Sequence, residues 1–167
     1  IKEFRLEDIQ TTAPILNTEK LRWLNGEYLR QKTDAQLKKL LYQHVNMLKQ
    51  KDEAVLDKII PLVKERMKTL SEFWSLAGFF FERPKDFERP LNSKLIQIAA
   101  DALKSTDWNH KVMEQAIRNL AQTNEVKPKD IFMELRIAVT GKTVGPPLLE
   151  SLEILARDET LARLSSI

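Results

Sequence analysis

The spacing of apolar residues most constrains how this chain can fold, because they recur every three or four positions along much of its 167 residues. This spacing places apolar side chains on one face of an α-helix, whereas a half-buried strand alternates apolar and polar residues. Alternating runs are few, and the sequence contains only four glycines. The pattern therefore predicts an all-α, multihelical protein.

Interruptions of the pattern set the expected helix boundaries. Thr33, Asp107 and Asp158 are predicted N-caps, since their short polar side chains can accept a backbone N–H; Asn17 or Thr18 has the same role at the first helix. In that first helix we expect an inward stripe of Leu21, Leu24, Tyr28 and Leu29. Pro61 is expected to kink its helix or to mark a restart. We predict helices over about 18–30, 34–48, 52–69, 93–104, 107–124, 129–139, 146–156 and 158–164.

An aromatic-rich segment over 71–90 breaks the helical pattern with Gly78, Pro84 and Pro90. Such breaks are typical of a connection between helical units. We therefore predict two packed helical subdomains, 1–78 and 79–167. The aromatic residues of this segment could stack on nucleic-acid bases, but burial at the junction is the commoner role and the one we favour for Trp74, Phe79, Phe80 and Phe81.

Composition excludes several classes of protein. The hydrophobic content of 43% is sufficient for a core, and the absence of cysteine removes disulfides and thiolate metal sites. The apolar runs are too short for a membrane span, and the first residues lack the character of a signal peptide. A net charge of +3 does not by itself indicate nucleic acid. We expect a soluble intracellular protein.

Motifs for chemistry are missing. The four glycines are too scattered to form a phosphate-binding loop, and neither His44 nor His110 has neighbours that suggest a metal site or a catalytic triad. The sequence nominates no catalytic residue and no metal ligand. A standalone enzyme is therefore not expected.

The segment 131–150 has the features of a recognition surface. Its first part is an amphipathic helix with Arg136 at the edge of the apolar stripe, where the stem can be anchored while the guanidinium reaches outward. Gly141 is a natural end for that helix, and Pro146 and Pro147 stiffen the corner that follows. The layout suits binding better than catalysis.

Basic residues cluster at two places. Lysines in such clusters often contact phosphates, but a solvated face is the commoner reading for Lys64 and Lys68. Arg66 borders an apolar stripe, so we expect it either to be ion-paired or to be placed for a ligand. The clusters are Lys64, Arg66 and Lys68, and Lys127, Lys129, Arg136 and Lys142.

Three segments in order resemble the C-terminal anticodon-binding region of bacterial and organellar glutamyl-tRNA synthetases. The first contains Leu-x-Trp-x-Asn-Gly-x-Tyr, from Leu21 to Tyr28. The second is Lys-Glu-Arg-Met-Lys-Thr-Leu-Ser over 64–71, followed by Phe-Phe-Phe over 79–81. The third is Arg-Ile-Ala-Val-Thr-Gly over 136–141, followed after five residues by Pro-Leu-Leu-Glu-Ser-Leu.

The resemblance implies specific roles. In that family an arginine at the position of Arg66 contacts the third anticodon base, and one at the position of Arg136 contacts the first. Pro146 and Leu148 would pack on the bases. Together with two lysines, the predicted RNA-binding set is Arg66, Arg136, Pro146, Leu148, Lys64 and Lys142.

The resemblance also implies a parent protein. Its partners would be the tRNA for glutamate and a catalytic domain in the same chain, which carries the ATP signatures N-terminal to this region. This region would need no cofactor, whereas the parent would be a ligase that uses ATP and Mg²⁺. We expect a monomer in the bacterial cytoplasm or, as the second choice, in an organellar matrix.

The alternative function is a helical protein-interaction module without an RNA role. In that case the lysines would only increase solubility. Arg66 and Arg136 would be ordinary structural ion-pair partners.

Overall fold

The computed structural model describes residues 17–167, and every structural statement below refers to them. Nine α-helices and two short 3-10 turns, Asn46–Leu48 and Gly78–Phe80, make up this part of the chain, which contains no strand. The all-α prediction is confirmed. None of these helices is long and apolar enough to cross a membrane. The helices are α1 (Thr18–Gln31), α2 (Asp34–His44), α3 (Glu53–Lys64), α4 (Glu72–Ala77), α5 (Ser93–Lys104), α6 (His110–Thr123), α7 (Pro128–Thr140), α8 (Leu148–Leu155) and α9 (Arg157–Leu164).

Capping side chains begin several helices where the sequence indicated. Asn17 caps α1 by accepting the Lys20 N–H at 2.9 Å. Thr33 and Gln36 form a reciprocal capping box at the start of α2. Each interaction satisfies backbone N–H groups that have no partner inside a helix. The predicted caps at Asn17 and Thr33 are therefore confirmed.

Two predicted caps are wrong. Asn109, rather than Asp107, caps α6, because its side chain accepts the Lys111 N–H at 3.0 Å. No side chain caps α9; the chain enters it through Ala156, whose φ is 65°. Asp158 instead lies in the first turn of α9, where a carboxylate is favoured by the helix dipole.

The third predicted helix ends earlier than expected. The structure ends α3 at Lys64 rather than at residue 69, and a non-helical turn over 65–71 follows. Pro61 lies inside α3 and does not interrupt it. Its position on the exposed side leaves water free to satisfy the carbonyl that loses a donor.

The inward stripe predicted for α1 is mostly wrong. Leu21, Leu24 and Tyr28 are exposed, and Leu29 is the only member of the stripe that is buried. Gly26 is also buried, because this side of α1 packs closely on the turn after α3. The inward side of α1 therefore carries Gly26 and Leu29, and the other three side chains of the predicted stripe lie outside.

One continuous apolar core includes residues from both sides of the aromatic segment 71–90. α5 packs on α6, α7 and α9, while α3 contacts both α4 and α8. Phe79 and Phe80 are buried, and Trp74 stacks on Phe81 with ring centroids 5.8 Å apart. The core packing predicted for these aromatic residues is confirmed, with Trp74 and Phe81 partly buried against the core.

A polar strap, residues 82–92, connects α4 and its following turn to α5. Near its start, Arg83 donates from Nε and from Nη2 to the Glu159 carboxylate, at 2.9 and 2.7 Å. Near its end, Glu134 accepts from Arg89 and from the Asn92 N–H, at 2.7 and 2.9 Å. The strap is thereby fixed to α7 and α9.

Gly141 lets the strap approach the end of α7. It ends α7 with φ 79°, in the left-handed region, as the sequence predicted for a glycine stop. Its carbonyl accepts the Glu88 N–H at 3.0 Å. A Cβ built on Gly141 would lie 2.8 Å from the Asp86 carbonyl oxygen and 3.0 Å from the Pro84 side chain. Both the backbone conformation and the available space therefore require glycine.

We predict that Gly141→Ala lowers the free energy of unfolding by about 2–4 kcal/mol, because strain at positive φ adds to the clash with the strap. Gly145→Ala is the matched control, since its Cβ would meet only Arg136 Nη1, at an ordinary 3.6 Å. Urea unfolding of the two variants measures the difference. Equal stability of the two would contradict the assigned constraint.

Glu159 links three elements through two arginines. It accepts from Arg83 of the strap and from Arg163 Nε at 2.7 Å, and the Arg163 side chain is only 4% exposed. Arg163 Nη1 also donates to the Val139 carbonyl at 2.9 Å. The hydrogen bond from Arg83, followed by that from Arg163, lowers the pKa of the Glu159 carboxyl from 4.5 to about 2 despite some burial.

We predict that this group stabilises the fold above pH 4.5 and loses its contribution as pH falls from 4.5 toward 2, because its pKa is depressed only in the folded state. Glu159→Gln should cost on the order of 1–2 kcal/mol at pH 7, discounted for partial exposure, and much less near pH 2. Glu114→Gln, which breaks the exposed pair with Arg118, is the control. A stability difference that does not change with pH would refute the assignment.

Candidate nucleic-acid interface

Arg136 lies where α7 meets the proline corner. Its side chain is half-buried, and Nη1 donates to the Pro146 carbonyl oxygen at 2.8 Å. This bond ties the guanidinium to the corner through one nitrogen. Nε and Nη2 have no hydrogen-bond partner in the described part of the chain, so they remain available as planar donors.

Arg66 extends from the turn that follows α3. The residue is exposed and lines a hollow of about 300 Å³ with five neighbours. Residues 17–167 provide neither Arg66 nor Arg136 with a carboxylate partner. The ion pairs expected from the alternative function are therefore absent from the described residues. The neighbours of Arg66 in the hollow are Arg22, Lys68, Glu72, Ser75 and Leu76.

The fold brings the two arginines close together although 70 positions separate them in the sequence. Burial, followed by repulsion from Arg66, lowers the pKa of Arg136 below its ordinary value of 12.5. Even so, a guanidinium remains charged at neutral pH. Two guanidinium groups that have no ion-pair partner in the described residues give the site planar donors, and the carboxylate in the hollow, Glu72, pairs with Arg22.

Lys142 joins the proline corner to α4. Its Nζ donates to the Ser75 carbonyl oxygen at 2.8 Å and to Ser75 Oγ at 2.7 Å. Ser75 lines the hollow at Arg66 and also a larger cleft of about 460 Å³ beside the strap. Lys142 therefore lines the cleft and, through Ser75, contacts a residue that lines the hollow at Arg66.

Pro146 and Leu148 lie at the corner, but both are buried, with Leu148 only 6% exposed. Their apolar surface is largely used inside the protein. The accessible apolar groups of this corner are Val144, which is 74% exposed, and the half-buried Pro147.

Lys64 has a partner elsewhere. Its Nζ forms an ion pair with Asp34 at 3.1 Å, which joins α3 to α2. Lys127 and Lys129 are exposed at the N-terminal end of α7, about 20 Å along the helix from Gly141 at 1.5 Å per residue. The structure thus gathers Arg66, Arg136 and Lys142, with Lys68 beside Arg66, and leaves Lys64, Lys127 and Lys129 apart.

Sequence reasoning missed two groups at this interface. Ser75 is 67 positions from Lys142, and no local pattern links them. Arg22 reaches the hollow from α1 because Glu72 accepts its Nη2. Contacts this distant in sequence arise from tertiary packing and leave no periodic signal.

Residues 17–167 contain no group of three or more His, Asp or Glu side chains that could hold a metal ion. The polar groups gathered at the interface are chiefly nitrogen donors. Such donors match the acceptor atoms of bases and phosphates in single-stranded nucleic acid.

Comparisons with known proteins agree with one another. The family described as "Anticodon binding domain" matches residues 27–167. The glutamate–tRNA ligase 1 of Fervidobacterium nodosum is 32% identical over 168 residues, which cover 99% of this chain and 35% of that protein. The glutamate–tRNA ligase of Roseiflexus castenholzii is 33% identical over 184 residues, with 99% and 36% covered.

A solved structure supports the fold. The crystal structure of a glutamate tRNA ligase from Elizabethkingia meningosepticum matches 99% of this chain and 35% of its own with a TM-score of 0.78 at 24% identity. The chain spans about a third of the length of the curated relatives cited above.

Proposed function

Because the chain belongs to the family of anticodon-binding domains, we propose that it binds the anticodon loop of the tRNA for glutamate. Its match to glutamate–tRNA ligases over 99% of its length supports this substrate. The observation that carries the proposal is the pair Arg66 and Arg136, two neighbouring guanidinium groups without carboxylate partners in the described residues. An RNA loop supplies the acceptors that these donors lack.

In the proposed complex, Arg66 reads the third anticodon base. Glutamate anticodons end in cytosine, which offers O2 and N3 as acceptors, whereas glutamine anticodons end in guanine, whose matching edge includes the N1–H donor. A guanidinium only donates, so guanine would leave a donor facing a donor. Arginine at this position therefore favours rejection of glutamine tRNA.

Arg136 reads the first base in this proposal, through the donors that the Pro146 carbonyl does not occupy. Lys142 would contact phosphate after releasing Ser75. Pro146 and Leu148 would act mainly by shaping the corner, since they are buried, and Val144 would offer the apolar surface. Lys64 stays in the proposed set with the least support, because Asp34 already pairs with it.

We further propose that this chain works within a longer glutamate–tRNA ligase, as its relatives are about three times longer. The catalytic part, with ATP and Mg²⁺, would lie outside these residues. The exposed side of α1 with Leu21, Leu24 and Tyr28 would face that part. We also propose that the chain forms two helical subdomains, 1–78 and 79–167, that it is a monomer and that it is cytoplasmic. The bacterial sources of the relatives support the cytoplasmic location.

We predict that the chain binds a glutamate tRNA transcript with an affinity that falls as salt rises, because phosphate contacts release counterions. Arg136→Ala should weaken binding by about 1–3 kcal/mol. The same substitution should lower the free energy of unfolding by only about 1 kcal/mol, the typical contribution of one hydrogen bond such as that to the Pro146 carbonyl. Fluorescence titrations at several salt concentrations and melting curves separate the two effects.

Arg118→Ala, on the surface of α6, is the matched control for the loss of one arginine. Binding that is independent of salt, or equal affinity of wild type and Arg136→Ala, would favour the protein-interaction alternative.

We predict that Arg66→Gln lowers the preference for a third-position cytosine over guanine by on the order of tenfold, because an amide can both donate and accept. The measurement compares the affinities for two tRNA transcripts that differ only at that base. In a full-length ligase the same change should raise charging of glutamine tRNA. A wild-type protein that binds both transcripts equally would disprove the role of Arg66.

A further inference from the structure

The backbone that carries Arg66 is held on two sides. Arg66 lies in the turn over 65–71, just beyond the end of α3. Its N–H and that of Met67 still donate to the Val63 carbonyl at 2.9 and 3.1 Å, whereas the N–H groups of Lys68 and Thr69 have no backbone acceptor. The position of its guanidinium therefore depends on how rigidly this turn is held. Without outside support, the turn would have to be ordered when a ligand binds, at a cost in affinity and selectivity.

α1 supplies the first support. Asn25 Nδ2 donates to the Lys68 carbonyl oxygen, and Arg30 Nη1 donates to the Glu65 carbonyl oxygen at 3.4 Å. Between them, Gly26 allows close packing, since a Cβ there would already lie 3.4 Å from the Met67 carbonyl oxygen. The Asn-Gly pair of the first sequence motif thus touches the backbone just beyond Arg66.

Glu72, the first residue of α4, supplies the second support. Its Oε2 accepts the N–H groups of Lys68 and Thr69 at 2.7 and 3.3 Å, while Oε1 accepts Arg22 Nη2 at 2.5 Å. Burial alone would raise the pKa of the Glu72 carboxyl, but the two N–H groups and Arg22 lower it below its ordinary value. The carboxylate is therefore charged and fixed at neutral pH.

We propose that Asn25 and Glu72 are positioning residues for base selection: they hold the 65–71 turn so that Arg66 presents its donors in one geometry. The inference rests on the proposed function, since it concerns the base that Arg66 reads. Three of the contacts meet the backbone at Lys68 and Thr69, within three residues of Arg66. Neither support touches Arg136. Their effect should therefore be confined to the third anticodon base.

The test measures two ratios with the 167-residue chain and tRNA transcripts. The first ratio compares cytosine with guanine at the third anticodon base, and the second compares a pyrimidine with a purine at the first. Asn25→Asp keeps the side-chain size but sets a carboxylate against the Lys68 carbonyl. Glu72→Ala removes both backbone bonds, whereas Glu72→Gln retains an acceptor for them.

We expect Asn25→Asp and Glu72→Ala to reduce the first ratio by about fivefold or more, the effect of one misplaced hydrogen bond. Glu72→Gln should retain most of the first ratio, and the second ratio should be the same in all these variants. A merely structural role would reduce the folded fraction without changing either ratio. Leu103→Ala, a cavity in the buried face of α5, serves as the destabilised control.

The outcomes separate the two hypotheses. If the wild-type chain does not distinguish the two third bases, the proposed function of Arg66 fails. If the wild type does distinguish them and Arg66→Gln abolishes the preference, the role of Arg66 stands. In that case, unchanged first ratios in Asn25→Asp and Glu72→Ala, or equal losses in both ratios, overturn the positioning role.

Discussion

The left-handed conformation of Gly141 is the constraint on which the interface depends. It ends α7 and leaves room for the strap to lie against that end, with the Asp86 carbonyl where a side chain would otherwise be. Beside it, Glu88 accepts the N–H and Oγ1–H of Thr143 at 2.7 and 2.6 Å. The loop toward the proline corner is thereby fixed from both ends, and the Pro146 carbonyl is held where Arg136 can donate to it. A backbone requirement at one residue thus determines the orientation of a guanidinium five residues earlier.

The interface departs from the rule that buried charge is neutralised nearby. The fold applies that rule elsewhere: Arg163 is paired with Glu159, and Glu134 is paired with Arg89. Arg136 is half-buried, yet it has no carboxylate partner in the described residues, and repulsion from Arg66 adds to burial in lowering its pKa. Such an arrangement costs stability in the free protein, because repulsion and desolvation act together. Local departures of this kind are expected at functional sites, where a ligand supplies the missing charge.

Local sequence signals predicted the helices well and the contacts between them poorly. The predicted helix over 93–104 has the observed bounds of α5, and the glycine stop at Gly141 is confirmed, because both depend on neighbouring residues alone. Asn109 takes the capping role predicted for Asp107, because it offers the same chemistry two residues later. Periodicity predicts that the stripe of α1 is buried, because it identifies an apolar face without saying what covers it. Ser75 and Lys142 are far apart in sequence, so local patterns do not predict their contact.

Burial of Pro146 and Leu148 changes how base selection would work at the corner. A buried residue offers little surface for stacking, so these side chains act through the backbone they stiffen rather than through contact with a base. In the proposed complex, base discrimination would rest on hydrogen-bond donors, which tolerate little misplacement, since a bond weakens steeply when its angle departs from linear. Arg136 is bonded to the corner, and the turn that carries Arg66 is bonded to Asn25 and Glu72 at Lys68. In the proposed complex, these bonds would limit the movement of both sets of donors.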